Sequence, residues 1–285
     1  MKKMVNMTAW LILKILIGVV AFILAVSLLQ FLISIHPSRH YSDVTPKDHG
    51  IDYEKVEFET SDGVVIKGWF LDAKKNKTVI VGHGYPFDKG NIFSAGKFLY
   101  PDYNLLFYDH RYFGESSGRI TTVGAKEVRD VEAAVEFVNG RYKHNSVGLY
   151  GFSLSASVML RIKDVKAIVA DSPYSDLGFM IKDVYRFFGP LRWPFVQVTK
   201  LLTRVFLWVD VDDVSPAKSV KDSKIPILLI HGDKDSQIPV ENSYRIKESN
   251  PDIELWVVEG ADHMQANDDP GYEKKVKVFF GKHMR

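Results

Sequence analysis

The sequence of 285 residues contains no cysteine. Without thiols the chain forms neither disulfides nor cysteine-based metal sites, and it has no thiolate nucleophile. Charges of the two signs nearly balance, with 37 lysines and arginines against 35 aspartates and glutamates, so no strongly basic surface favours nucleic acid as a partner. The HExxH pattern of zinc hydrolases is also absent from the sequence.

The N-terminal part carries one long uncharged run. Residues 15–35 read ILIGVVAFILAVSLLQFLISI, and as a helix they span about 30 Å, the thickness of a bilayer core. A buried core helix of this length is rarely apolar on every side. A cleaved signal peptide has a shorter run and a small-residue cleavage site after it. The sequence therefore predicts a single-span anchor over residues 1–36, with the lipid bilayer as its partner.

The charges that flank this run predict its orientation. Lys2, Lys3 and Lys14 lie on its N-terminal side, whereas Arg39 is the nearest fixed cation after it. By the positive-inside bias the N-terminus stays in the cytoplasm, and the large domain, residues 37–285, lies outside.

Beyond a polar linker the chain alternates between apolar runs and helix-like segments. Residues 56–60 and 64–71 alternate in polarity around a Ser-Asp-Gly turn, which predicts an antiparallel hairpin. Among the helix-like segments, residues 124–139 carry a valine stripe, and Gly140 is expected to end that helix. Six wholly apolar runs follow the hairpin: TVIVGHG, NLLFYDHR, SVGLYGFS, AIVADSP, PILLIHGD and IELWVVEG. This pattern predicts an α/β fold in which helices cover both faces of a mostly parallel central sheet.

Residues 174–211 break the alternation. This stretch is dense in aromatic side chains and contains no strand–helix pair. Its position between a strand and the next helix predicts a small helical cap inserted over the site, with an apolar face that lines a substrate pocket. The alternatives are two ordinary helices that cover the core, and contact with the bilayer.

A candidate nucleophile lies in the run VGLYGFSLS, residues 147–155. A serine at a tight strand-to-helix turn is exposed to substrate and lies beside the N–H groups that begin the helix. Ser153 occupies this position after Gly151, although Ser155 stands where the G-x-S-x-G motif has glycine. An ordinary turn is the alternative interpretation.

A serine nucleophile needs a base and an acid that orients the base. His263 follows the last apolar run, in a loop from which it can reach a serine near the centre of the sheet. Three aspartates lie after strands and keep the order serine, acid, histidine. The order of preference is Asp235, then Asp171, then Asp233.

Negative charge that develops on the substrate oxygen needs N–H donors. Leu154 follows the nucleophile and supplies one backbone N–H. Tyr85, in the His-Gly-Tyr that ends an earlier strand, is predicted to supply the second. We interpret the His83 side chain as a brace for this loop.

Five motifs occur in a fixed order: HGY, YDHRYFGESSG, GFSLS, HGDKDSQIP and GADH. In this order the chain resembles the α/β-hydrolase superfamily, and most closely membrane-anchored serine hydrolases with prolyl-oligopeptidase-like or dienelactone-hydrolase-like cores. The resemblance covers residues 53–285. It implies the α/β-hydrolase fold, with Ser153 as nucleophile, Asp235 as acid, His263 as base, and Tyr85 and Leu154 as oxyanion donors.

One segment of the resemblance carries a second departure. Residues 109–118 resemble the D-x-R-G-x-G-x-S loop of the superfamily, with Tyr112 in the place of a glycine.

The expected activity is hydrolysis of a carboxylic ester through an acyl-enzyme, without cofactor or metal. The aromatic cap and the bilayer favour a small-molecule or lipid-like substrate with an apolar acyl group. A peptidase or amidase and a non-catalytic binding protein stay open as alternatives.

Overall fold

The computed structural model of the chain describes residues 2–142 and 146–284. The side chains of residues 2–6 lie outside this description, and they include Lys2 and Lys3, on which the predicted orientation rests. One eight-stranded sheet forms the centre of the molecule. Its strands are β1 (Glu54–Glu59), β2 (Val65–Leu71), β3 (Lys77–Gly82), β4 (Asn104–Tyr108), β5 (Ser146–Phe152), β6 (Ala167–Asp171), β7 (Ile227–Gly232) and β8 (Glu254–Val258).

The sheet is parallel except at one edge. The strand order is β1-β2-β4-β3-β5-β6-β7-β8. β1 pairs antiparallel with β2, and β2 pairs antiparallel with β4, whereas every pair from β4 to β8 is parallel. The predicted hairpin and all six apolar runs are strands of this sheet. The predicted α/β class with a mostly parallel sheet is therefore confirmed.

Helices cover both faces of the sheet. Successive strand residues point to opposite faces, so Ile80 joins one core cluster while Val79 and Val81 join the other. The helices are α1 (Lys2–Ile35), α2 (Lys89–Gly96), α3 (Val128–Arg141), α4 (Leu154–Met159), α5 (Leu177–Val184), α6 (Trp193–Leu202), α7 (Pro216–Val220), α8 (Glu241–Ser249) and α9 (Tyr272–His283). Buried side chains of α3, α4 and α8 contribute to the first cluster, and those of α2 and α9 contribute to the second.

The helix predicted over residues 124–139 is shifted. It begins four residues later because the carboxylate of Glu127 accepts hydrogen bonds from the backbone of Thr122 and Gly124 and holds that segment as a loop. Gly140 does not end the helix. It lies inside α3 with open space around its Cα, and the helix continues through Arg141.

The N-terminal helix stands apart from the sheet. Residues Met7–Ile35 of α1 form the one helix, within the described parts of the chain, that is long and apolar enough to cross a membrane. Its C-terminal half contacts the segment between β6 and β7, where α5, a 3-10 turn (Arg186–Arg192), α6 and a π turn (Thr203–Leu207) follow one another. We call residues 177–207 the cap helices. The division into an anchor, a hydrolase domain and an inserted cap stays a prediction.

Candidate active site

The turn after β5 holds Ser153 in a strained backbone conformation. Its φ is 53° and its ψ is −108°, a region that L residues rarely occupy. Its N–H donates to the carbonyl of Asp171 at the end of β6 (2.8 Å), and α4 begins at the next residue. Gly151 is required here, because a Cβ at this position would lie 2.6 Å from the backbone nitrogen of Ala156. The sequence GFSLS thus forms the sharp strand-to-helix turn that the motif predicts.

Ser155 fits in place of the usual glycine because a glycine stands opposite. A Cβ on Gly82, at the end of β3, would lie 2.4 Å from the Ser155 hydroxyl oxygen. The hydroxyl donates to the carbonyl of His83 (2.6 Å) and lies 2.8 Å from Nε2 of His110. All these groups are buried. The departure from the motif therefore adds a polar tie beneath the turn without crowding it.

Three distant parts of the chain meet at the carboxyl edge of the sheet. Nε2 of His263 lies 3.0 Å from Oγ of Ser153, and Nδ1 of His263 lies 2.7 Å from Oδ2 of Asp235. All three side chains are buried. The ring of Phe152 contacts the imidazole of His263, with 5.0 Å between ring centroids. An alcohol, an imidazole and a carboxylate therefore form one continuous hydrogen-bonded chain.

The carboxylate of Asp235 is held by four donors. The N–H groups of Gln237 and Ile238 donate to Oδ1 (3.0 and 2.7 Å). Besides His263, Nε2 of His231 lies 3.2 Å from Oδ2. Burial raises the pKa of Asp235, but the hydrogen bonds from His231 and His263 outweigh it and hold the pKa well below its usual range. Asp235 is therefore ionised and fixes the imidazole of His263 with its Nδ1 protonated.

The other two candidate acids make different contacts. Asp171 accepts hydrogen bonds from the hydroxyls of Tyr272 (2.7 Å) and Ser172 (3.1 Å). Burial raises the pKa of Asp171 to about 6. Asp233 accepts a hydrogen bond from the N–H of Gly260 and joins the ends of β7 and β8. No hydrogen bond to His263 from either carboxylate occurs within the described residues.

The loop after β3 brings the predicted oxyanion donors toward the nucleophile. A Cβ on Gly84 would lie 3.1 Å from Cβ of Ser153, so this loop lies directly against the turn. Tyr85 follows Gly84, and its backbone N–H is carried by the same loop. The N–H of Leu154 is the first of α4, and the first four N–H groups of a helix have no partner within it. The local backbone thus carries both predicted donors close to Ser153.

His83 holds this loop in place. Its Nε2 accepts a hydrogen bond from the N–H of His110 (3.0 Å), so Nδ1 carries the proton and donates to the carbonyl of Gly84 (2.8 Å). Burial, together with the neighbouring His110, lowers the pKa of His83 to about 3, which keeps the ring neutral. These contacts agree with its interpretation as a brace.

The loop of residues 109–118 supports the site from below. Asp109 accepts hydrogen bonds from the N–H groups of Lys89 (2.8 Å) and Glu115 (2.9 Å) and pairs with the Lys89 ammonium group (2.6 Å). Arg111 pairs with Asp130 (2.8 Å). Tyr112, which replaces a glycine of the motif, has a φ of 72°, and this left-handed conformation explains why glycine is usual there.

A cavity of about 110 Å³ opens beside the nucleophile on the α2 face of the sheet. It is small beside ligand pockets of roughly 300–1,000 Å³. Its walls are mostly apolar, and two of its lining residues, Phe152 and Met264, directly precede Ser153 and follow His263. The cavity is also lined by Gly84, Phe87, Ile92, Ala95, Asp171 and Asn267.

Sequence reasoning missed two sets of residues that hold this site. His231 supports Asp235, and the Ser155–His110–Asp130 chain supports the turn at Ser153, with 3.2 Å between Nδ1 of His110 and Oδ2 of Asp130. The signal for the second set was the replacement of a small motif residue by a polar one. A hydroxyl at that place needs partners when it is buried.

The strand order, the turn at Ser153 and the histidine loop after β8 define an α/β hydrolase. The sequence profile of the prolyl oligopeptidase family matches residues 118–285, and the chain belongs to this family. An esterase of Pyrococcus furiosus superposes on this chain with a TM-score of 0.73 at 30% identity, and the match covers 88% of this chain and 100% of that one.

Two curated relatives extend this comparison. The uncharacterized Bacillus subtilis protein YqkD is 25% identical over 237 residues, which are 76% of this chain and 75% of that protein. The thiohydrolase apmlB of Arthrinium phaeospermum is 31% identical over 131 residues, which are 42% of this chain and 43% of that protein. The family match and the similarity to the esterase identify the chain as a hydrolase of the α/β fold.

Proposed function

We propose that this protein is a membrane-tethered serine hydrolase that cleaves carboxylic esters through an acyl-enzyme. The observation that carries the proposal is the hydrogen-bonded chain from Ser153 through His263 to Asp235. In serine hydrolases the nucleophile is hydrogen-bonded to the base, and the base is hydrogen-bonded to the acid. The distances in this chain therefore already allow the proton transfer that the reaction needs.

The reaction proceeds in two acyl transfers. Oγ of Ser153 attacks the ester carbonyl while Nε2 of His263 takes its proton, and the N–H groups of Tyr85 and Leu154 stabilise the resulting oxyanion. The C–O bond to the alcohol then breaks, and the imidazolium returns its proton to the leaving alkoxide. Water attacks the acyl-enzyme by the same route and releases the acid. Asp235 keeps its negative charge throughout and stabilises the imidazolium.

Two observations favour an ester with an apolar acyl group over a peptide. The similarity to the esterase of Pyrococcus furiosus extends over most of both chains. The cavity next to Phe152 is small and mostly apolar, which suits a short acyl group or the first carbons of a longer one. A peptidase or amidase of the same family is the second candidate, because the family match favours it.

The fate of α1 is the other part of the proposal. Ser27, Phe31 and Ile35 are buried against the rest of the protein. Removal of residues 1–36 as a signal peptide would uncover this contact, so we propose that α1 is retained as an anchor. By the positive-inside bias, the lysines before the span support an orientation with the N-terminus in the cytoplasm and the catalytic domain outside. A reporter that is active only in the periplasm or outside the cell, fused at the C-terminus, tests this orientation, and a cytoplasmic signal contradicts it.

The catalytic proposal is tested with a fluorophosphonate probe and a substrate panel. The wild type is expected to react with the probe and to hydrolyse p-nitrophenyl esters faster than aminoacyl anilides, whereas Ser153→Ala does neither. Ser219→Ala, at an exposed serine of α7, serves as a control for nonspecific labelling. Faster cleavage of anilides favours the peptidase. Absence of labelling and turnover in the wild type favours a binding protein that has lost catalysis.

A further inference from the structure

One side of α1 is built into the cap helices. Phe31 and Ile35 are buried with Leu207 in a small cluster that is separate from the two main cores. One turn nearer the N-terminus, the hydroxyl of Ser27 reaches the carbonyl of Phe195 (3.4 Å). Positions 23, 27, 31 and 35 are four residues apart, so this contact runs along one stripe of the helix. The C-terminal half of the anchor is therefore part of the folded domain.

Helices α1 and α6 run side by side in the same direction. The ring of Phe195, near the start of α6, lies 6.1 Å from that of Phe22, and the ring of Phe206, past its end, lies 6.1 Å from that of Phe31. The beginning of α6 thus lies further toward the N-terminal end of α1 than the turn that follows α6 does.

The length of α1 sets the depth of the cap. Met7–Ile35 comprises 29 residues, or about 43 Å of helix. A hydrocarbon core of about 30 Å takes up about 20 residues. A core that begins at Ile15, after the flanking Lys14, ends near Ser34, and even one that begins as early as Met7 ends near Val26. In every case Phe22 lies within the hydrocarbon, and the start of α6 lies beside it.

The exposed surface of the cap helices is apolar. Trp193, Leu201 and Val205 of the cap helices, together with Trp208 directly after them, are between 55% and 88% exposed. Phe187 in the preceding 3-10 turn is 92% exposed. Tryptophan is typical of the zone where a bilayer meets water. Exposed apolar side chains in such number mark an interaction surface on a protein that otherwise buries them.

The charge of the cap helices also favours contact with a lipid bilayer. Residues 177–207 contain five lysines and arginines and a single acid, Asp183, and one of the five cations, Lys200, pairs with Asp212 beyond this range (2.6 Å). Basic side chains next to a membrane span are attracted to anionic headgroups. The active site lies near the outer end of α1, since the hydroxyl of Tyr85 contacts the carbonyl of Ile33 (3.4 Å), two residues before this helix ends.

From these relationships we infer that the exposed side of the cap helices is a docking surface for the bilayer that holds α1, with Trp193 inserted most deeply. The inference rests on the proposed anchor and deepens the proposed function: it assigns as substrates esters whose acyl chains remain in the membrane while the carbonyl reaches Ser153 at headgroup level. The buried cavity then receives only the part of the substrate nearest the scissile bond.

The absence of native cysteine allows a direct measurement of depth. Single variants Trp193→Cys, Leu201→Cys and Trp208→Cys of the full chain carry a spin label in vesicles of phosphatidylcholine and phosphatidylglycerol. Val278→Cys is the control, since Val278 is an exposed apolar residue on α9, on the opposite face of the sheet. We expect contact with oxygen to exceed contact with an aqueous nickel chelate at the cap positions, with depth decreasing from 193 through 201 to 208, and the reverse preference at 278.

Other results overturn the inference in distinguishable ways. Cap labels as accessible to the chelate as the label at 278 mean that the cap lies in water. Labels shielded from both reagents, with spin–spin broadening, mean that a second copy covers the surface. A protein that fails to float with the vesicles refutes the proposed anchor.

A kinetic test separates docking from catalysis. We expect the double variant Trp193→Ser/Trp208→Ser to lower the rate of hydrolysis of a long-chain ester embedded in vesicles by about tenfold or more. Hydrolysis of soluble p-nitrophenyl butyrate stays unchanged, and Val278→Ser affects neither rate. Equal loss on both substrates, or on neither, contradicts the inference. Lack of activity of the wild type on any ester refutes the proposed function, while the depth measurement remains valid.

Discussion

The hydroxyl of Ser155 lies 2.8 Å from Nε2 of His110 and donates to the carbonyl of His83, directly beneath the turn that carries Ser153. His110 in turn contacts the buried carboxylate of Asp130. This second serine–histidine–aspartate chain is closed to solvent. It joins the turn at Ser153 to the loop of residues 109–118 and to residues 83–85, which carry the predicted oxyanion donor Tyr85 and which we call the oxyanion loop.

Removal of this hydroxyl is expected to weaken the fold. Ser155→Ala leaves the carbonyl of His83 without the Ser155 donor, and we expect the free energy of unfolding to fall by about 1–3 kcal/mol. Urea unfolding of the full chain in detergent measures the change. Ser219→Ala, which alters an exposed helical serine, is expected to change it by less than about 0.5 kcal/mol. Equal stability of the two variants would mean that the tie contributes nothing.

The acid is distinguished from its rivals by isosteric substitution. Asp235→Asn retains the shape but loses the charge that fixes the tautomer of His263, so we expect kcat to fall by about ten-thousandfold. Asp171→Asn and Asp233→Asn, whose carboxylates bond to other groups, are expected to keep most of the activity. Rates on p-nitrophenyl butyrate decide the matter, and an inactive Asp171→Asn beside an active Asp235→Asn reverses the assignment.

Asp171 is expected to make the stability of the protein depend on pH. Its pKa is raised from 3.8 to about 6 because it is buried, so the native state keeps a proton that the unfolded chain releases. Its stabilising contribution is complete below pH 3.8 and is lost as pH rises through about 6. Relative to Asp171→Asn, the wild type therefore loses about 3 kcal/mol of unfolding free energy over this interval.

The measurement for Asp171 is a series of urea unfolding curves on both proteins across that interval. The variant shares all the other titrating groups, so the difference between the two series isolates Asp171. Parallel pH profiles for wild type and Asp171→Asn contradict the raised pKa.

The oxyanion loop is tested through Gly84. A Cβ at this position would lie 2.8 Å from the ring of Phe152 and 3.1 Å from Cβ of Ser153, so Gly84→Ala pushes the loop away from the nucleophile. We expect kcat/KM for p-nitrophenyl butyrate to fall by roughly a hundredfold, as when one oxyanion donor is lost. Gly140→Ala, with open space in α3, is the matched control and keeps full activity. An active Gly84→Ala argues against Tyr85 as a donor.

The sheet and the meeting of the three side chains were predictable from local patterns. Apolar runs without alternation indicate strands buried on both faces, and parallel strands bring their carboxyl ends to one edge. Ser153 and His263 each follow such a run, and their predicted proximity depends on topology alone. Helix limits were less predictable, because the start of α3 depends on how Glu127 binds the backbone before it.

Contacts between distant segments of the chain were not predictable from the sequence. Nothing in the residues around Phe31 indicates that this helix meets Leu207, since an apolar stripe in a wholly apolar helix gives no periodic signal. The partners of Ser155 were equally hidden, because His110 and Asp130 are brought beneath it only by the assembled sheet. The pattern of apolar residues specifies the layers of sheet and helices. Hydrogen bonds between buried polar side chains depend in addition on how the strands and loops are placed against one another.

The shared stripe between α1 and α6 has a consequence for regulation by lipid. A transmembrane helix longer than the hydrocarbon core accommodates by tilting, and it tilts more in a thin bilayer than in a thick one. If α1 spans the bilayer as proposed, its contacts with the cap helices through Ser27 and Phe31 make these helices move with a tilting anchor. The rate of hydrolysis is then expected to depend on membrane thickness. Equal rates in vesicles of short-tailed and long-tailed phosphatidylcholine would show that the two motions are independent.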